Sequence, residues 1–287
     1  MKGKAFLYIV VLFIFTFTVT GYSAFLEDQD IPDTGDYTGD IREGLAVAGD
    51  PQKAFDLANS LYIDGEFEDA IMVYEQVAVS GYSSTELYYN LGNAYYRSNR
   101  IPAAILNYER ALLLAPGDDD IKFNLELARM HVRDRIGELP GFFLNRWWTG
   151  ARDLMSEHEW AILSISLFIA MLLFLGAFLM ASSPFVKKIF FWLSVVMFIV
   201  SALSLAFGID RRNHIRNYSG AIVFAPAVSV KSSPDMHSAD LFIIHEGTRV
   251  WVEDALGEWY EVRLSDGNKG WLRKETVEMI KPGADGI

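Results

Sequence analysis

Residues 85 to 118 read TELYYNLGNAYYRSNRIPAAILNYERALLLAPGD, and a related pattern stands one 34-residue step earlier. A period of this length constrains the fold strongly. Each copy is one helix–turn–helix unit whose apolar face must be covered by the next unit. Tyr88, Leu91, Gly92, Tyr95, Ala104, Tyr108, Ala111 and Pro116 mark the frame in the second copy. The same frame gives Ala54, Leu57, Ala58, Leu61, Ala70, Tyr74, Val77 and Tyr82 in the first. The small residues Ala58, Ala70, Gly92 and Ala104 are expected at the packing positions, where a larger side chain would push paired helices apart.

On these residues segment 85–118 closely resembles the tetratricopeptide repeat family. Segment 51–84 resembles it more weakly, lacking the aromatic at position 4 and the proline at position 32. The resemblance implies an all-α solenoid with a concave groove for another protein and no chemistry of its own. It places Gln52, Phe55, Asn59, Tyr62 and Ile63, then Glu86, Tyr89, Asn93, Tyr96 and Arg97, on that groove. A following helix adds Phe123, Leu127 and Met130. Asparagines among aromatics suit an extended peptide, with amides holding its backbone and rings covering its side chains. The same residues could equally serve only to pack neighbouring helices. Phe123 and Leu127 stand where some family members carry basic residues that hold a chain-end carboxylate, so an internal segment is the expected ligand.

The net charge of -12 is concentrated. Residues 25–140 hold 22 acidic and 9 basic side chains. That surface repels phosphates, so nucleic acid is not expected as a partner. The chain has no cysteine, which excludes disulfides, a thiol nucleophile and cysteine-based zinc sites. Lys2 and Lys4 precede an apolar run from Ala5 to about Val19, followed by Gly21, Ser23 and Ala24. Residues 1–24 are therefore expected to be a signal peptide, or an uncleaved N-terminal anchor. Residues 25–50, rich in Asp, Gly and Thr, are expected to form an acidic flexible spacer. Repeats 51–84 and 85–118 come next. A capping helix from Asp118 to Ile136 follows, with Asp118 to Asp120 suited to its N-terminus. Two repeats and a cap are few, so modest stability or support from a partner is expected.

Segment 137–159 contains Phe142, Phe143, Trp147 and Trp148 around Arg146. It suits a membrane interface, or a hydrophobic contact with the next segment. Residues 160–180 and 189–209 are uncharged runs of 21 residues each. Each rises about 31 Å as a helix, enough for a hydrocarbon core of roughly 30 Å. With the turn 181–188 they form an expected transmembrane hairpin, which puts both flanking regions on one side. Lys187 and Lys188 favour a cytoplasmic turn, whereas Arg146, Arg152, Arg211, Arg212 and Arg216 pull the other way. The N-terminal signal acts first during insertion. The repeats and the C-terminal region are therefore expected to face the periplasm or exterior, on a bacterial cytoplasmic membrane.

From residue 218 to 281 short β-type segments alternate with turns, including Asp266-Gly267-Asn268-Lys269-Gly270. Val230, Pro234, Leu241, Gly247, Val250, Trp259, Val262, Gly270, Trp271 and Leu272 fall in a pattern that resembles the bacterial SH3 domain. The resemblance implies an all-β SH3-like barrel binding protein or cell-wall peptide, with Trp259 and Trp271 mainly in its core. No nucleophile elbow, phosphate loop, dinucleotide fingerprint or HExxH pair occurs. The chain is thus expected to be no enzyme and to need no cofactor or metal. The order of signal, repeats, hairpin and SH3-like module resembles the Bacteroides aerotolerance (Bat) family. That resemblance implies a membrane-bound scaffold for protein partners, other Bat-type proteins among them, in envelope stress. The alternative is a peptidoglycan-binding module protein or a regulator of wall enzymes.

Overall fold

The computed structural model describes residues 50–137 and 142–281. The expected signal, the spacer up to residue 49 and residues 138–141 of the aromatic segment lie outside the described residues.

Five helices come first: α1 (Pro51–Ile63), α2 (Phe67–Val79), α3 (Thr85–Arg97), α4 (Ile101–Leu114) and α5 (Asp119–Arg129). Side-chain caps set the starts of three of them, α1, α3 and α5. Asp50 accepts from the Gln52 N–H at 3.1 Å, Ser84 from the Leu87 N–H at 3.1 Å, and Asp118 from the Asp120 and Ile121 N–H groups. The two helix–helix turns repeat each other at the 34-residue step. Gly65 and Asn99 both adopt the left-handed conformation, with φ of 87° and 58°. The next residues, Glu66 and Arg100, each donate a backbone N–H to the carbonyl five residues back, Leu61 and Tyr95. This closes the helix ends with the residue types that tolerate positive φ best. Ala58, Ala70, Tyr74, Leu87, Ala104, Ile105 and Tyr108 fill the helical core.

The cap differs from its expected extent. Helix α5 stops at Arg129, and residues 130–137 leave it as a strap running onto the following sheet. The reason lies in Asp134. Its carboxylate accepts from the His245 backbone N–H at 2.6 Å, pairs with the His245 ring at 2.8 Å, and accepts from the Thr248 hydroxyl at 2.8 Å. Val132 packs into the helical core and Ile136 against the sheet core, instead of continuing one helical face.

Helix α6 (Phe143–Arg152) is followed by two long apolar helices, α7 (Glu157–Met180) and α8 (Pro184–Arg216). Their most apolar 18-residue windows have mean hydropathy 2.7 and 2.4, and most of those residues face outward. Both are long and apolar enough to cross a membrane. Helix α7 begins three residues before the uncharged run because Ser156 and Glu159 form a capping box. Helix α8 begins inside the expected turn because Pro184 suits a first helical position, and it runs on to Arg216. The pair is antiparallel and close-packed. The Ser164 hydroxyl donates to the Ser201 carbonyl at 3.1 Å, and Ser201 returns the bond at 2.9 Å.

At the charged end of this pair, Arg211 is only 2% exposed. It donates to Asp153 at 3.0 Å and to the Leu113 carbonyl at the C-terminus of α4. Arg152 bonds Asp153 and lies 3.7 Å from Asp210. Trp148 donates to Asp210 and packs on Phe207, while Phe142, Phe143 and Trp147 of the same segment stand exposed.

The C-terminal region is a seven-stranded antiparallel sheet: β1 (Gly220–Val223), β2 (Ala227–Lys231), β3 (Asp240–His245), β4 (Arg249–Leu256), β5 (Trp259–Arg263), β6 (Lys269–Arg273) and β7 (Val277–Met279), in the order β3-β2-β6-β5-β4-β1-β7. Gly247, at φ 80°, divides the long segment after Leu241 into β3 and β4. Gly267, at φ 89°, turns β5 into β6. Val223, Val230, Ile244, Val250, Val262 and Leu272 form the buried core. Trp259 and Trp271 are half-buried and lie outside that core, unlike the expectation. The two-residue period of a strand turns Val262 and Leu272 inward, so their odd-numbered neighbours point to the other face.

Helices and sheet share a core. Ile222 and Ile280 of the sheet lie in the same buried cluster as the repeat residues. Arg110 of α4 donates to the Ile280 and Met279 carbonyls and to Glu278. Glu109, 3% exposed, accepts from Arg129 of α5 and from Arg249 of β4.

Acid should loosen this seam through Asp134. Burial alone would raise its pKa, but the bonds from His245 and Thr248 outweigh burial and hold it below the usual carboxylate range. The stabilisation is complete above the unfolded value near 4 and is lost as pH falls through the lower folded value. In urea titrations the stability gap between wild type and Asp134→Asn should be largest near neutrality and close below about pH 4. A gap that stays constant down to pH 2 would remove Asp134 from the acid response.

Candidate functional site

The candidate groove residues come from α1, α3 and α5, the first helix of each unit and the cap. Two of them, Asn59 and Asn93, are tied into a ladder that repeats every 34 residues. The Tyr74 hydroxyl donates to Asn59 Oδ1 at 2.6 Å, and Asn90 Nδ2 donates to the same oxygen at 3.0 Å. One repeat later the Tyr108 hydroxyl donates to Asn93 Oδ1 at 2.8 Å, and Asn124 Nδ2 donates there at 3.1 Å. Asn124 also donates to the Tyr89 hydroxyl at 2.9 Å. Each asparagine thus joins its own repeat to the next, and its carbonyl oxygen is spent. The Nδ2 groups of Asn59 and Asn93 have no partner among the described residues, so the ladder presents one N–H₂ donor per repeat. Burial raises the Tyr74 and Tyr108 pKa values above the ordinary tyrosine range, so both hydroxyls remain donors into alkaline pH.

The aromatic candidates are partly committed to packing. Phe55 lies 5.8 Å from the Tyr74 ring and Tyr89 lies 6.2 Å from Tyr108. Tyr62 meets Phe67 edge-on at 5.4 Å, with the Arg97 guanidinium 4.7 Å over the same Phe67 ring. Tyr96 meets His131 edge-on at 5.7 Å. Ile63, Phe123 and Met130 are exposed, Phe123 at 67%. The surface is therefore amide donors and half-buried tyrosines, bordered by exposed apolar side chains.

At the packing positions, Ala58, Ala70 and Ala104 are fully buried. A Cβ on Gly92 would fall 2.7 Å from Tyr108 Cδ1 and 2.8 Å from Cε1. Ladder members Asn90 and Asn124 were missed in the sequence, although their 34-residue spacing alongside Asn59 and Asn93 is a usable signal. On the sheet, Trp251 was also missed. Arg249 and Arg263 stand over its ring at 4.7 and 5.4 Å. Among the described residues no three His, Asp or Glu side chains converge in a way that could hold a metal ion.

No curated protein matches the chain. Residues 85–118 match the family model described as tetratricopeptide repeat. Helices α3 and α4, with the Gly92–Tyr108 contact between them, are thus one such repeat, which suggests a role in protein–protein interaction.

Proposed function

We propose that the protein is a non-enzymatic, membrane-anchored scaffold of the bacterial envelope. In this reading its repeat groove takes an extended segment of a protein partner. The carrying observation is the ladder. It fixes two amide donors at equivalent positions one 34-residue step apart, beside tyrosine rings and exposed apolar side chains, and one of them, Asn93, lies in the segment matched to the tetratricopeptide repeat model. Paired donors suit backbone carbonyls, and rings suit the side chains between them.

The anchor is the α7–α8 pair, crossing the bilayer as a hairpin with its turn in the cytoplasm. Two of the arginines that oppose this orientation, Arg152 and Arg211, are buried against Asp153 and Asp210, so packing accounts for their position. Exposed Phe142, Phe143 and Trp147 fit the outer headgroup region beside the hairpin. The sheet is an SH3-like barrel serving as a second interaction module. Assembly with other Bat-type membrane proteins in aerotolerance or stress defence is the setting that module order suggests. A wall-binding role for the sheet is the second reading, favoured by Trp251, Trp259 and Trp271 standing outside its core.

Phe123→Ser tests the groove with little cost to folding, because the side chain is already 67% exposed. Affinity capture in mild detergent should lose the partners retained by the wild-type chain, about tenfold or more, at an unchanged melting temperature. Partner recovery equal to wild type would remove the groove from the proposal.

A further inference from the structure

The ladder fixes which way its amides face. Tyr74 and Tyr108 are 0% and 1% exposed, and each hydroxyl proton needs an acceptor at that depth. Tyr74 finds it in Asn59 Oδ1 and Tyr108 in Asn93 Oδ1. A flipped amide would strand that proton and set its own N–H₂ group against the nitrogen of Asn90 or Asn124. A carbonyl oxygen has two lone pairs, and here both are used. Asn59 and Asn93 therefore cannot grip a peptide unit with two bonds, Nδ2 to a carbonyl and Oδ1 to an N–H. Each can only donate. Among the described residues two side-chain polar atoms are buried without a partner, Asn107 Oδ1 and Arg211 Nε. The Asn59 and Asn93 nitrogens also lack one and are not buried in that way, so they stand at the surface. In an extended ligand the N–H and C=O of one residue point to the same side. A carbonyl held by Asn59 or Asn93 thus brings an N–H to a place where the asparagine has no acceptor left. Proline carries the carbonyl without the N–H. Its ring also suits aromatic faces, and Tyr89 lies beside Tyr108 at the second step.

We infer that the groove selects proline-containing extended segments of a protein partner, with a proline carbonyl at each of the two ladder asparagines. Tyr74, Tyr108, Asn90 and Asn124 act as positioning residues. They occupy the asparagine oxygens and leave only the donors for the ligand. This selectivity rests on the groove being the binding site, as proposed above.

The test uses the full chain in detergent micelles and a display library of random peptides. Peptides held by wild type but not by Asn93→Asp are collected. The new carboxylate still accepts from Tyr108 and Asn124, so the melting temperature should hold while the donor is lost. Asn59→Asp gives a second, independent subtraction. The collected peptides should share a proline. Alanine in its place should raise Kd about tenfold, the effect of an N–H left without a partner. N-methylalanine, which also lacks the N–H, should restore most of the affinity. Peptides with no shared proline, or N-methylalanine binding no better than alanine, would overturn the selectivity and leave the groove standing. An empty collection from both subtractions would overturn the groove reading and the selectivity with it.

Discussion

Gly92→Val should unfold the repeat region at temperatures the wild-type chain withstands. The added carbons would have to occupy space 2.7 to 2.8 Å from two ring carbons of Tyr108. That ring has little freedom to yield. It is 1% exposed, its hydroxyl is held by Asn93, and Asn93 is held by Asn124 of the next helix. Overpacking of this kind costs about 3 kcal/mol in a rigid core, a large share of the stability of a small domain. Ala58, one repeat earlier, is fully buried and shows that one methyl is tolerated when the helix pair is spaced for it. Gly92→Ala carries the same Cβ contact without the two further methyls, and better helix propensity offsets about 1 kcal/mol, so about 2 kcal/mol is expected. Chemical denaturation followed by tyrosine fluorescence separates the two variants. Equal stability of Gly92→Val and wild type would mean that α3 and α4 are not packed as described.

Glu109→Ala should have the second large effect, on the seam between helices and sheet. The carboxylate is 3% exposed and pairs with both Arg129 and Arg249, which approach it from α5 and β4. Without it two guanidiniums face each other across a partly buried gap. Breaking a buried pair costs about 3–5 kcal/mol, but both arginines keep some contact with water, so about 2–3 kcal/mol is expected. High salt should recover part of the loss by screening the two cations. The Glu109→Ala/Arg249→Ala double variant should be less destabilised than the sum of the single changes. Additive losses would show that Glu109 and Arg249 act independently.

Local pattern made much of this architecture legible. The 34-residue step located the helix pairs, and two long uncharged runs located α7 and α8. Turn residues such as Gly267 located β-hairpins. The groove residues were legible as positions on a frame but not as partners. That Asn59 and Asn93 spend their oxygens on Tyr74, Asn90, Tyr108 and Asn124 depends on how three helices meet. The seam was not legible at all. Arg110 with Ile280 and Asp134 with His245 lie more than 100 residues apart, and no periodicity links them. The same long-range contact explains why the cap helix ends early. Bonds to the sheet outweigh the apolar spacing that would have carried the helix through Val132. The inward reading of Trp259 and Trp271 failed for a different reason. Size and hydrophobicity favour burial, but strand register decides which face receives a side chain.

The proposed scaffold role requires the helices and the sheet to stand outside the cytoplasmic membrane. The chain has no cysteine, so one introduced thiol reports one location. Glu126→Cys, on the exposed side of α5, and Ser182→Cys, in the turn between α7 and α8, would each be treated in intact cells with a membrane-impermeant maleimide. Where an outer membrane is present it would first be permeabilised. Labelling is expected at position 126 from outside, and at position 182 only after the inner membrane is opened. Labelling of position 182 from outside, or protection of position 126 until lysis, would contradict that placement.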